Sequence, residues 1–195
     1  MELRDAVRRR RMVRNYTEAP VDPDAVERIV DAGRRAPSAG NTQGQSFVVV
    51  TDPHRRRRIA ELSDEPAYVA MGFDPWISRA PVHIVVCVSE EAYRARYREP
   101  DKSPDGTDID WPVPYWWVDA GASMMLLLLA AVDEGLAAGF LGSHTMPELE
   151  RFLGLPDDVR AIGVVTVGHP AADRRSGSLD RGRRPLESVV HREEW

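Results

Sequence analysis

The chain has 195 residues, 43% of them hydrophobic, and a formal net charge of -5. That length supports one domain with a real core, and the acidic balance argues against general nucleic-acid binding. Cys87 is the only cysteine, which excludes a disulfide framework and a cysteine-based zinc site.

Residues 2–11 read as a short helix with Leu3 and Val7 on one face. Asp22, Pro23 and Asp24 supply an N-cap, a proline for the first helical position and an acidic first turn. Val26, Ile29, Val30 and Gly33 follow at helical spacing, and Pro37 stops the helix. Residues 37–45 form a small polar loop leading into a buried strand at 47–50. Residues 54–62 read as a helix whose arginines 55–58 make a solvated face. A second strand is expected at 82–88, then a polar helix near 90–97.

Residues 98–114 hold four prolines, at 100, 104, 112 and 114, a glycine and many acids. A long loop of this kind inside one domain is usually functional or disordered, and tryptophans near its end favour packing over disorder. Trp111, Tyr115, Trp116 and Trp117 close it. The stretch 115–140 dominates the chain: it carries no charge between Asp119 and Asp133, and 124–132 is apolar on every helical face. Asp119, Asp133 and Glu134 interrupt it too often for a membrane span. It reads as a core helix with one face left for a partner subunit, the alternative being a purely intramolecular core helix, and it can end at Gly135 or Gly139. A short extended piece is expected at 140–144. Thr145 and Glu148 make a capping-box pattern for a helix to Leu153. The last strand is at 161–168. Beyond Pro170 the tail has little core of its own and must lie on something already folded.

Lys102 is the one lysine, so the positive charge is nearly all arginine. Arg8, Arg9, Arg10, Arg11 and Arg14 crowd the start; Arg174, Arg175, Arg181, Arg183 and Arg184 crowd the end. Two such clusters repel unless they are kept apart or bridged by an anion. The guanidinium fork suits phosphate; the alternative is two solvated basic tails. No Gly-x-Gly-x-x-Gly, phosphate loop or His-Glu-x-x-His occurs. Ser143-His144 lacks a nucleophile elbow around it. No metal site is expected, and redox chemistry would have to be carried by a cofactor. No charged segment followed by an apolar one opens the chain, so a cytoplasmic protein is expected.

Three separated pieces together resemble the nitroreductase-like family of FMN-dependent oxidoreductases. Arg10-Arg11-Met12-Val13-Arg14-Asn15-Tyr16 is similar to the family's opening Arg-Arg-Ser-x-Arg-x-Phe. Residues 36–43, Ala-Pro-Ser-Ala-Gly-Asn-Thr-Gln, resemble its Ala-Pro-Ser-x-x-Asn-x-Gln loop. Arg181-Gly182-Arg183-Arg184-Pro185-Leu186 resembles its closing basic-x-Arg-x-Pro segment. Between them, 135–142 matches the Gly-Leu-Gly stretch after the central helix.

The resemblance implies an α+β fold, one domain over 1–195 with a mostly antiparallel sheet flanked by helices. It also implies an intertwined homodimer that exchanges C-terminal arms, here 172–195. By resemblance, Arg10, Arg11, Arg14, Arg181 and Arg183 hold the phosphate and ribityl chain of FMN. Pro37, Ser38 and Ala39, followed by Asn41 and Gln43, reach the flavin from the partner. Leu141, Gly142 and Ser143 lie near its ring, with the Gly142 backbone at the hydride-accepting atom. Met12 departs from the family's serine and cannot donate the hydroxyl's hydrogen bond. The implied reaction is ping-pong transfer of hydride from NADH or NADPH through FMN to a nitroaromatic or quinone. Alternatives are FMN sequestration without turnover, a flavin-fragmenting branch making dimethylbenzimidazole, and a deiodinating branch. For the last, Tyr97, Glu99 and Lys102 are a poor match to the required lid residues. Trp111 and Tyr115 are expected at the acceptor pocket, and Trp116 and Trp117 at the end of the core helix.

Overall fold

The computed structural model describes residues 1–174 and 176–195; Arg175, one of the C-terminal arginines, lies outside them. The first helix, α1 (Leu3–Arg9), is followed by α2 (Pro23–Arg34), where Asp22 Oδ1 accepts the Asp24 N–H at 3.0 Å. Strand β1 (Gln45–Val50) leads to α3 (Pro53–Leu62), capped in the same way by Asp52. Two short helices, α4 (Glu65–Ala70) and α5 (Trp76–Arg79), precede β2 (Val82–Ser89) and α6 (Glu90–Tyr97). Then come α7 (Tyr115–Asp133), β3 (Ala137–Gly142), α8 (Leu149–Leu153) and β4 (Val159–Gly168).

The strands make one antiparallel sheet in the order β1-β2-β4-β3. Side chains alternate across β2, as period-two geometry requires. Val82, Ile84, Val86 and Val88 face α2, α6 and α7, while Val85 and Cys87 face the α3, α5 and α8 side. Helix α7 lies over the first face against α2 and all four strands. It is long and apolar enough to cross a membrane by length and composition, yet it is the core helix here. Trp116, Ala120, Ser123, Leu127, Leu128 and Ala131 are buried; Val118 and Met125 are exposed, with Gly121, Ala122 and Leu129 partly so. The expected uncovered face is therefore present.

Several expectations need correction. Leu3 and Val7 do share one face of α1, within the shorter bounds Leu3–Arg9, but that face is exposed and Ala6 is the buried residue. Trp117 is exposed while Trp116 is buried, because adjacent helical residues point about 100° apart and cannot share one buried side. No capping box forms at Thr145. Its hydroxyl donates back to the Gly142 carbonyl within a 3-10 turn (Ser143–Thr145), and α8 starts only at Leu149. The extended piece after α7 starts at Ala137, since Gly135, at φ 72°, already ends the helix turn. Arg56 leaves the solvated face of α3 to donate to the carbonyls of Thr51, Ser78 and Ala80. The short helices α4 and α5 were not anticipated.

Candidate functional site

Tyr16 anchors the N-terminal segment. Its ring is buried, and its hydroxyl donates to Val13 O at 3.0 Å and lies 2.8 Å from Thr166 Oγ1. Burial pushes the phenol pKa up, so the group stays protonated. Met12 bridges to Ala138 in parallel fashion, and the Val13 N–H donates to Ala138 O. Gly139 permits this approach: a Cβ there would lie 2.5 Å from Val13 O. Beyond Tyr16 the segment zips onto the chain after β4. Thr17 N–H donates to His169 O, Asn15 Nδ2 to Ala172 O, and Arg14 N–H to Asp173 Oδ2.

That zipper brings the two basic clusters together. Arg10, Arg11, Met12, Arg14, Arg174 and Arg183 line one cavity of about 540 Å³ with Ser176, Ser178, Leu179 and Asp173. Asp173 is the one carboxylate in this lining, and among the described residues none of these arginines forms an ion pair. A concentration of unneutralised guanidiniums is a site for an anion. Arg181 is on the neighbouring 3-10 turn (Gly177–Arg181) and outside the lining. Ser176 and Ser178 place their hydroxyl oxygens 2.8 Å apart beside Met12's cavity wall, so hydroxyls are available there despite the methionine.

A second cavity, about 450 Å³, adjoins Arg14. Tyr68, Phe73, Asp74 and Trp76 from the α4–α5 region wall it, together with Arg174. Glu65 holds that region closed: its buried carboxylate accepts the N–H groups of Ile77 at 2.6 Å and Ser78 at 3.1 Å. Helices of six and four residues carry no periodicity, which hides this wall in the sequence. The doublet of aromatics, Tyr68 and Phe73, was the available signal.

Leu141 and Gly142 end the edge strand β3, and Ser143 opens the 3-10 turn that follows. They lie along the strand from the Ala138 bridge, roughly 13 Å for Gly142 at the usual rise per residue. Gly142 has φ -69°, which any residue adopts; its special feature is that a Cβ would come 2.7 Å from His144 Nδ1. Ser143 donates its hydroxyl to Ala161 O at 2.6 Å.

The 37–43 loop is elsewhere. It enters β1 at Gln45, opposite Val88 of β2, whereas the arginine segment runs beside the Ala138–Val167–Val82 row at the other sheet edge. Three strand spacings and six residues of strand put them on the order of 24 Å apart. Trp111 and Tyr115 belong to the loop's corner. Trp111 packs edge-on against Tyr97 at 4.7 Å, Trp116 at 5.6 Å and Tyr115 at 6.3 Å, and Tyr97 lies under Gly40. The proposed residues thus form two groups, one at each end of α7, which at 19 residues is about 28 Å long. Tyr97, Glu99 and Lys102 do not form a free set: Arg96 holds the Glu99 carboxylate, and the Lys102 ammonium sits over the Tyr97 ring at 5.6 Å.

Residues 7–169 match the family described as Nitroreductase family. The chain is 31% identical to the FMN reductase [NAD(P)H] of Bacillus subtilis, over 95% of this chain and 71% of that protein. It is 27% identical to an iodotyrosine deiodinase of Nematostella vectensis, over 97% of this chain and 74% of that one. Among solved structures, the hypothetical oxidoreductase YcnD of Bacillus subtilis superposes with a TM-score of 0.76 at 28% identity, covering 100% of this chain and 75% of that one.

Proposed function

Because the chain belongs to the nitroreductase family, we propose that it is an FMN-dependent oxidoreductase that passes electrons from NADH or NADPH to a small planar acceptor. The observation that carries this reading is the convergence of Arg10, Arg11, Arg14 and Arg183 on one cavity with a single carboxylate. FMN presents a phosphate to match that charge, and when bound it supplies the hydride chemistry that the side chains lack. Charge-assisted bonds from the guanidiniums orient the phosphate, with Ser176 and Ser178 offering the hydroxyls that Met12 does not. Arg181 borders the same end. Leu141, Gly142 and Ser143 line the ring end through their backbone.

The 37–43 loop comes from a second copy. Val118, Met125 and Leu129 form an apolar stripe on α7, with Gly121 and Ala122 small enough for close helix approach. Two α7 helices packed antiparallel on that stripe bring the loop end of one chain to the arginine end of the other. That places Pro37, Ser38, Ala39, Asn41 and Gln43 where one chain alone cannot put them, and Trp111 and Tyr115 beside them on the acceptor side. The exposed Leu186, Val189, Val190 and Trp195 of the C-terminal arm gain cover in such an exchanged dimer. A cytoplasmic location goes with this reading, since NADH and NADPH are cytosolic reductants.

Steady oxidation of NADH or NADPH by the flavin-loaded protein, above the rate with free FMN, tests the proposal. Tight FMN binding without such oxidation would instead indicate a sequestering protein. The deiodinase relative makes a halotyrosine the informative extra acceptor; halide release would move the reading to that branch.

A further inference from the structure

We propose that Asp119 is a positioning residue that fixes the 37–43 loop, and through it the flavin-facing edge this chain presents to its partner. Asp119 lies one turn into α7 and is only 8% exposed, and among the described residues no cation pairs with it. Its Oδ2 instead accepts two hydrogen bonds, from the Ala39 N–H and from the Tyr93 hydroxyl, each at 2.8 Å. A buried carboxylate adds little to stability that an apolar side chain would not also supply, so its place on an apolar helix calls for another reason.

The loop supplies that reason. Gly40, Asn41 and Gln43 all adopt left-handed backbone, with φ of 62°, 52° and 52°. Two of the three are not glycine, and such conformations persist only where surroundings over-determine them. Within the loop, Ser38 Oγ accepts from Gln43 N–H and Thr42 Oγ1 donates to Ala39 O. From outside, Asp119 holds Ala39 and Arg96 donates to Gly40 O at 2.9 Å. Asp119 is thus the contact that pins the loop's first turn to the core helix.

The inference rests on the reading that the loop meets flavin, and the experiment separates the two. Asp119→Ala removes the acceptor, while Asp119→Asn keeps an oxygen in place; Tyr93→Phe is the milder variant should alanine not fold. In flavin-free protein, hydrogen exchange across 37–43 should quicken in Asp119→Ala. In the FMN-loaded protein the visible flavin spectrum should shift and reduction by NADPH should slow by about tenfold, the scale of a modest misplacement, with FMN affinity retained. Asp119→Asn should restore most of the rate. Faster exchange with unchanged spectrum and rate would make Asp119 merely structural and overturn the proposal. If Gln43→Ala also left spectrum and rate unchanged, the loop reading itself would fall; if Gln43→Ala altered them and Asp119→Ala did not, only the role of Asp119 would.

Discussion

Replacing Arg14 and Arg183 together with alanine removes one guanidinium from each of the two clusters that meet on the phosphate cavity. A hydrogen bond to a charged group contributes about 1.5–3 kcal/mol, so the pair accounts for roughly 3–6 kcal/mol of FMN binding. At about 1.4 kcal/mol per decade, the dissociation constant should rise by roughly a hundredfold to ten-thousandfold. The flavin-free protein should not suffer in proportion, because the variant also loses like-charge repulsion among arginines that have no ion-pair partner among the described residues. Titration of FMN fluorescence gives the affinity directly. Thermal melts with and without FMN give a second readout, since a ligand that binds only the folded state raises the melting temperature; the rise should be clear in wild type and nearly absent in the double variant. An unchanged dissociation constant, with a yellow protein surviving gel filtration, would refute the assignment of this cavity to the phosphate.

Met125→Glu puts a charge on the exposed α7 stripe; sedimentation should show a folded monomer that no longer retains FMN. Tyr115→Ala should raise the Michaelis constant for a planar acceptor by about two- to tenfold, the worth of one aromatic stacking contact, without altering FMN affinity. Trp111→Ala should do the same but also lower stability, because Trp111 is wedged among the rings of Tyr93, Tyr97, Tyr115 and Trp116. His83 is fully buried, which pushes its pKa down from 6.5 to about 4. The unfolded chain therefore binds the extra proton first, and stability should fall as pH drops from about 6.5 towards 4, by roughly 3 kcal/mol in all. Denaturant melts across that range should show the slope, and His83→Gln should flatten it.

Local chemistry made much of the fold legible in advance. Asp22 and Pro23 mark the start of α2, and the valine-rich runs mark β1 and β2, because caps and apolar strands act over a few residues. The pattern at Thr145 misled because Pro147 and the Gly142 turn divert that hydroxyl before a helix begins. The uncharged run of α7 showed a buried helix, but which stripe stays open depends on α2 and the sheet. The arginine clusters were visible as composition; their meeting depends on Asn15, Tyr16 and Thr17 pairing with residues about 150 positions away, which no local pattern records. Asp119 looked like an interruption of an apolar run, and its bond to Ala39 exists only once α7 lies beside the loop.

On the proposed function, FMN is held so that a reduced nicotinamide can deliver electrons to it. Anaerobic rapid mixing of the flavin-loaded protein with NADPH, and separately with NADH, follows that transfer. The flavin absorbance should bleach at a rate that saturates with at least one nucleotide and return when a quinone or nitroaromatic is added. Stoichiometrically bound FMN whose absorbance neither nucleotide changes would contradict it.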